Sequence, residues 1–203
     1  MNKILKFMTS LFFALGFVCQ TADAKINIFP KARYIPELSF YADNGQAYKL
    51  KDFKSDLLMA VLWSRYCGPC INDLKKLDKF SEKMKNKGIR VIIISPEKDF
   101  KTNAERHAFL QKIEVPHLES YIDRKSNFIN GMGVFVTPAV ILVNRNNEEA
   151  GQITGSVKWD DDDVIDYILK LKTKISKQLD EQEAAYQQSQ EQNRKPTEVS
   201  FDK

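Results

Sequence analysis

The sequence predicts an α/β fold in which a central mixed β-sheet is flanked by helices and preceded by an N-terminal β-hairpin. Apolar runs of strand length, such as residues 57–63 and 89–95, alternate with segments of helical periodicity. Strands that alternate with helices are typical of a sheet covered by helices on both faces. The dipeptide Asn44-Gly45 lies between two segments of alternating apolar and polar residues, which indicates a hairpin.

The first half of the predicted domain contains the hairpin, two strands and one long helix. Residues 57–63 are apolar throughout, as expected of a strand buried on both faces. The helix that follows ends at Gly88, and a second buried strand covers residues 89–95. The apolar residues on one face of this helix recur at helical spacing: Leu74, Leu77, Phe80 and Met84.

The second half continues the alternation of helices and strands. A helix is expected over residues 101–113, and its inward-facing residues are expected to be Ala104, Ala108, Leu110 and Ile113. The remaining predicted elements are a short strand near 118–122, a helical turn through Phe128, a strand-like run over 134–144 that Pro138 breaks, a strand near 150–154 and a long helix that begins with 159–175.

Composition divides the chain of 203 residues into three parts. Residues 1–24 predict a signal peptide, and the folded domain is expected over residues 35–175. Residues 176–203 are rich in Gln, Glu and Lys, which predicts a polar helical extension that ends in a disordered tail. The net charge is only +4, and no dense block of Lys and Arg with interleaved aromatic residues is present. The composition therefore argues against a nucleic-acid partner.

The leader combines a basic start, an apolar run over residues 7–19 and small residues up to Ala24. This pattern predicts export with cleavage after Ala24. The apolar run is shorter than the ~20 residues that a spanning helix needs, so retention as an uncleaved membrane anchor is the alternative rather than the expectation. Lipid modification of Cys19 fits poorly, because Val18 is bulky where a small residue is expected.

The segment "LWSRYCGPCIND" contains Cys67 and Cys70, and cleavage of the leader would leave no other cysteine. An exported protein resides where disulfides persist. A two-residue loop makes a weak structural staple, because closing so short a ring removes little entropy from the unfolded chain. A zinc site needs four ligands, and neither His107 nor His117 lies at ligand spacing from a second cysteine. We therefore expect a redox pair, with no metal and no cofactor.

The position of Cys67 predicts a reactive thiol. This residue follows a buried strand and opens a helix, where unpaired backbone amides and the helix dipole stabilise a thiolate. Pro69 falls near the first helical position, where its missing N–H has no cost. Cys67 would then be the attacking sulfur, and Cys70, buried in the first turn, would resolve the mixed disulfide.

A second motif is "VTPAVIL", which includes the Thr137-Pro138 bond ahead of a strand. If this bond is cis, the backbone of Thr137 faces the sulfurs and can bind an extended substrate by strand addition. The alternative is an ordinary edge-strand proline.

Together, "LMAVLWSRYCGPC", Thr137-Pro138 and residues 139–168 resemble the thioredoxin superfamily, and more closely its exported TlpA/ResA-like branch. The resemblance covers roughly residues 35–172 and includes the hairpin that this branch adds to the basic thioredoxin-like fold. It implies a protein thiol–disulfide oxidoreductase. By position, Cys67 and Cys70 match the nucleophile and the resolving cysteine.

The resemblance also implies roles for other residues. Pro138 matches the cis-proline, and Asp73 matches a position where the branch often has a glutamate. That carboxylate either exchanges a proton with Cys70 or is simply a solvated helix residue. The residues expected to contact substrate are Tyr66, Gly68, Pro69 and Thr137.

The function that this pattern favours is exchange of thiols and disulfides in client proteins outside the cytosol, with the periplasm as the expected compartment. The resemblance favours reduction, for example during cytochrome c or copper-site maturation, with electrons from a membrane-bound donor. A disulfide-forming oxidant using the same cysteines and a thioredoxin-like copper metallochaperone remain alternatives. The membrane would be a partner only if the leader is retained.

Overall fold

A computed structural model describes residues 24–194 of the chain. The predicted leader, apart from Ala24, lies outside the described residues, as does the predicted tail from residue 195 onward. The strands are β1 (Lys25–Tyr34), β2 (Phe40–Tyr41), β3 (Ala47–Tyr48), β4 (Leu57–Leu62), β5 (Ile89–Pro96), β6 (Glu119–Asp123), β7 (Ala139–Asn144) and β8 (Glu148–Thr154). The α-helices are α1 (Gly68–Met84), α2 (Asn103–Lys112), α3 (Asn127–Gly131) and α4 (Asp162–Arg194).

The strands form one mixed sheet in the order β1-β8-β7-β4-β5-β6-β2-β3. Strands β4, β5 and β6 are parallel, whereas β7 pairs antiparallel with β4 and with β8. All six residues of β4 are buried, as its continuous apolar sequence predicts. The predicted fold class is confirmed.

Alternate residues of β4 face two separate hydrophobic clusters, because successive side chains of a strand point to opposite faces. Leu57, Met59 and Val61 belong to the cluster that also contains the buried residues of α1 and α4. Leu58 and Ala60 belong to the cluster that contains the hairpin and α3. The two long helices therefore share one face of the sheet.

The predicted hairpin and the predicted face of α1 are both present. Strands β2 and β3 pair antiparallel around Gly45, whose φ of +82° suits glycine. The chain leaves α1 before Gly88, which also has a positive φ, of +73°. The predicted apolar residues of α1 are all buried: Leu74, Leu77, Phe80 and Met84.

The predicted inward face of α2 is wrong in part. Leu110 and Ile113 are buried, but Ala104 and Ala108 are exposed. Arg106 occupies the inward position instead, with 1% of its surface exposed. Its guanidinium contacts the side chains of Asp43 and Ser120, and these partners compensate for burying the charge.

Strand β1 was not predicted from the sequence. It pairs antiparallel with β8 at the edge of the sheet, and its register shifts between Ile28 and Arg33. All of its residues are exposed or half-buried, so it lacks the apolar pattern that indicates a central strand.

Candidate active site

The two cysteines lie at the start of α1, the helix that follows the central strand β4 in the chain. Cys67 is the N-cap of α1, and Cys70 lies in the first turn. The two sulfurs form a disulfide in the structure. Gly68 and Pro69, which separate the cysteines, are exposed on the surface of this turn.

The two sulfurs differ in accessibility and in hydrogen bonding. Cys67 is half-buried, whereas Cys70 is 1% exposed. The backbone N–H of Cys70 donates a hydrogen bond to Sγ of Cys67 over 3.2 Å. In the reduced pair this donor, together with the positive end of the 17-residue helix, would stabilise a thiolate on Cys67.

The loop before β7 brings Thr137 and Pro138 to the same place. The Thr137–Pro138 peptide bond is cis. The carbonyl oxygen of Thr137 lies 3.5 Å from Sγ of Cys67. Pro138 is buried, and its carbonyl accepts a hydrogen bond from the backbone N–H of Gly155 (2.9 Å). Residues that are 70 positions apart in the chain thus form one site.

Asp73 lies on α1 behind the disulfide, half-buried. It lines a cavity of about 10 Å³ together with Cys70, Pro138 and Trp159. The backbone N–H of Val157 donates a hydrogen bond to its carboxylate over 3.1 Å. Burial raises the pKa of Asp73 above its ordinary value, and the hydrogen bond from Val157 opposes this shift without cancelling it.

An exposed apolar rim flanks the disulfide, formed by Tyr66, Phe135 and Val136. Their exposed fractions are 78%, 88% and 57%. Tyr66 directly precedes Cys67, and the other two directly precede Thr137. A contiguous exposed apolar patch is a common feature of protein-binding surfaces. Sequence reasoning identified Tyr66 but missed Phe135 and Val136.

Arg65 holds the loop that leads into Cys67, and the sequence pattern gave no sign of it. Its backbone N–H donates to the carboxylate of Asp99 (3.1 Å), and its guanidinium binds Glu105. The guanidinium also lies 4.9 Å from the ring centroid of Phe100 and 5.4 Å from that of Phe109. These contacts anchor the loop to the start of α2.

Residues 24–194 have neither a metal-binding cluster nor a membrane-spanning helix. Within that part of the chain, no group of three or more His, Cys, Asp or Glu side chains is arranged to hold a metal ion. None of its helices combines the length and apolar character needed to cross a membrane.

The fold and the site together define a thioredoxin-like protein with a cysteine pair at the start of the helix that follows the central strand. The family model for Redoxin matches residues 30–169, and the chain belongs to this family. The resemblance to the thioredoxin superfamily and its ResA-like branch is confirmed.

Comparisons with individual proteins agree with this assignment. The chain is 22% identical over 117 residues to the thiol-disulfide oxidoreductase ResA of Geobacillus thermodenitrificans; the match covers 58% of this chain and 65% of that protein. The chain therefore spans somewhat less than two thirds of this relative's length.

Two solved structures share the fold. The candidate thiol:disulfide interchange protein DsbE of Chlorobium tepidum matches with a TM-score of 0.59 at 22% identity, covering 70% of this chain and 97% of that one. A secreted thiol-disulfide isomerase of Corynebacterium glutamicum matches with a TM-score of 0.59 at 19% identity, covering 75% and 95%. At these identities the likeness establishes the fold.

Proposed function

We propose that this protein is an exported thiol–disulfide oxidoreductase that reduces disulfides in client proteins. The observation that carries the proposal is the unequal cysteine pair at the start of α1, with Cys67 accessible and Cys70 buried. The exposure of Cys67 suits it to attack a client disulfide, and the burial of Cys70 suits it to the later step that resolves the mixed disulfide. Membership of the Redoxin family supports the same chemistry.

In the first step, the thiolate of reduced Cys67 attacks one sulfur of a client disulfide. The client S–S bond breaks, a mixed disulfide forms with Cys67, and the other client sulfur leaves as a thiolate that takes a proton from solvent. The N–H of Cys70, which lies 3.2 Å from Sγ of Cys67, supports this step by holding negative charge on the attacking sulfur.

In the second step, Cys70 loses its proton and attacks Sγ of Cys67. The mixed disulfide breaks, the Cys67–Cys70 disulfide forms, and the second client sulfur leaves as a thiolate that takes a proton from solvent. The client has gained two electrons and two protons. The protein is left oxidised, as in the structure, and an external dithiol donor must reduce it again. We propose a membrane-bound protein as that donor.

Asp73 is proposed to accept the proton of Cys70 in this second step. Both residues line the same small cavity, and Cys70 has almost no contact with solvent. A proton leaving a buried thiol needs an acceptor nearby, and a half-buried carboxylate with a raised pKa is suited to both accepting and returning it.

The client is proposed to bind as an extended segment across Tyr66, Thr137 and the apolar residues before it. A client sulfur bonded to Cys67 places its neighbouring residues over this surface. The backbone of Thr137, beside the disulfide, is positioned to pair with an extended segment, as in strand addition. Gly68 and Pro69 are both exposed beside Cys67, and apart from its chain neighbours and the helix backbone no atom lies within 4 Å of where a side chain on Gly68 would begin.

The proposal of export is supported by the predicted leader, and the proposed reducing direction is supported by the resemblance to the ResA-like branch. Residues 1–24 have the composition of an export signal, and the secreted relative above has the same fold. Reduction fits the ResA-like branch, whose members prepare cysteines for cytochrome c or copper-site maturation. A disulfide-forming role would use the same sulfurs with electrons flowing from client to protein.

The test is reduction of insulin disulfides by the full chain with dithiothreitol as the donor. Wild type is expected to accelerate the reaction, and Cys67→Ser is expected to abolish the acceleration. Cys70→Ala is expected to accumulate a mixed disulfide with the client, visible by non-reducing electrophoresis. Stoichiometric copper binding without any acceleration would instead favour a metallochaperone. The redox state of the pair in intact cells, read by alkylation, decides between reductant and oxidant.

A further inference from the structure

A second cavity, partly open to solvent, lies at the carboxyl ends of β5 and β6, beside the N-terminus of α2. It has a volume of about 110 Å³ and shares no lining residue with the cysteine pair. The polar side chains that line it are Glu97, Lys101, Thr102, Asn103, Arg106 and Arg124. The carboxyl ends of parallel strands are a common place for ligands in α/β proteins.

Arg106 is the most informative residue of this cavity. It is 1% exposed, and its two terminal nitrogens contact Asp43 and Ser120. Its Nε, however, has no hydrogen-bond partner among residues 24–194. A buried N–H without an acceptor costs free energy, and native proteins usually satisfy such a group with water or a bound ion.

The charges around the cavity favour an anion. Three cationic side chains line it against one carboxylate, that of Glu97, which lies 3.6 Å from Arg124. The side chain of Lys101 has no carboxylate within 4 Å among the described residues, although the carboxylate of Glu105 is nearby and accepts the backbone N–H of Lys101 (2.8 Å). The carboxylate of Asp43, outside the lining, is divided between Arg106 and His107.

Hydrogen-bond donors also outnumber acceptors. The hydroxyl oxygen of Thr102 accepts the backbone N–H of Glu105, and its own proton remains available to another acceptor. Asn103 uses one of its amide protons on the carbonyl of Asp43 and keeps a second. A ligand that offers several acceptor oxygens and negative charge would match this lining.

We infer that this cavity binds a small oxyanion, such as phosphate, sulfate or a carboxylate group. An engineered apolar cavity of about 150 Å³ holds benzene. A volume of about 110 Å³ therefore accommodates a group with the size of a tetrahedral oxyanion. The site is independent of the thiol chemistry proposed above, and its test does not use that activity.

The test titrates inorganic phosphate into the full, oxidised chain at fixed pH and fixed ionic strength, with amide chemical shifts as the readout. Saturable shifts are expected near Lys101 and Arg124. Lys101→Gln and Arg124→Gln are each expected to weaken phosphate binding about tenfold, the size of one charge-assisted hydrogen bond. Lys98→Gln is the matched control, because Lys98 is exposed on the same turn but does not line the cavity.

Arg106 is not replaced in this test, since its buried contact with Asp43 would make the variant a measure of folding. The same titration is repeated with acetate. Saturable shifts with phosphate alone assign the site to tetrahedral anions, and saturable shifts with both anions extend it to carboxylates. The inference is overturned if no saturable shift appears, or if Lys98→Gln weakens binding as much as the other two variants.

Discussion

The carboxylate of Asp73 on α1 accepts a hydrogen bond from the backbone N–H of Val157, 84 residues further along the chain. This contact joins the helix that begins at the disulfide to the segment that leads into α4. It holds the carboxylate half-buried beside Cys70, where burial raises its pKa. The same contact thus bears on stability and on the proposed chemistry.

Asp73→Asn is expected to be more stable than wild type at pH 7. Because the folded pKa of Asp73 is raised above the ordinary value of 3.8, its contribution to stability is fully present below about pH 3.8 and is lost as pH rises through the folded pKa. The difference between variant and wild type should therefore disappear in acid. Urea unfolding at pH 7 and pH 3 measures it, and Asp166→Asn, exposed on α4, provides the control.

The same Asp73→Asn change is expected to slow the second step of client reduction about 100-fold, the lower end of the range for a positioned acid–base group. An amide cannot accept the proton of Cys70. In wild type the rate of that step should fall as pH drops through the raised pKa of Asp73. Quenched alkylation of the mixed disulfide follows its decay, and equal decay rates in both proteins would exclude Asp73 as the acceptor.

Phe135→Ser is expected to raise KM for protein clients about tenfold, because part of the free energy of burying an aromatic side chain is lost. Its kcat, and the rate with a small aromatic disulfide, should change little. Tyr186→Ser is the matched control, since Tyr186 is also exposed (64%) but lies near the end of α4, remote in sequence from the site. If KM for the small disulfide rises by the same factor, Phe135 acts by shaping the loop and does not contact the client.

The free energy of unfolding is expected to fall as pH rises from 6.5 through the raised pKa of His117. Its Nδ1 lies 2.7 Å from the buried carboxylate of Asp78, and this hydrogen bond raises the pKa of His117 above 6.5. Its stabilising contribution is fully present below pH 6.5 and is lost as pH rises through the raised pKa. Urea unfolding should lose this pH dependence in His117→Gln. His107→Gln, the other histidine, should retain it.

Leu179→Ala is expected to reduce the free energy of unfolding by about 2–4 kcal/mol, as for other buried leucines. Leu179 is 4% exposed and belongs to the same cluster as β4 and α1, although it lies in the segment predicted to be a polar extension. Tyr186→Ala, further along α4, should change the free energy of unfolding by less than about 0.5 kcal/mol. Similar values for the two variants would mean that α4 contributes little to the core at Leu179.

The features that were predicted correctly from the sequence are determined by residues that lie close together in the chain. The buried strand β4 and the inner face of α1 follow from runs and periodicities within about twenty residues. The role of Cys67 as the N-cap of a helix follows from its place between those two elements. The hairpin at Gly45 could likewise be predicted from its turn residues alone.

The features that sequence missed depend on contacts between distant segments. Arg106 was not among the residues predicted to face inward, because a charged side chain usually avoids the core, yet Asp43 and Ser120 supply partners from other elements. Strand β1 forms because it pairs antiparallel with the edge of β8. Its own sequence has no strong strand pattern.

For this protein the sequence alone identified the cysteine pair, the strand and helix that carry it, and the family that uses such a pair. Only the tertiary structure decided that Thr137 meets Cys67, that Asp73 lies behind Cys70, and which apolar side chains stay exposed beside them. The reason is physical. Periodicity encodes which face of an element is buried, whereas the approach of two distant segments is set by how whole elements pack.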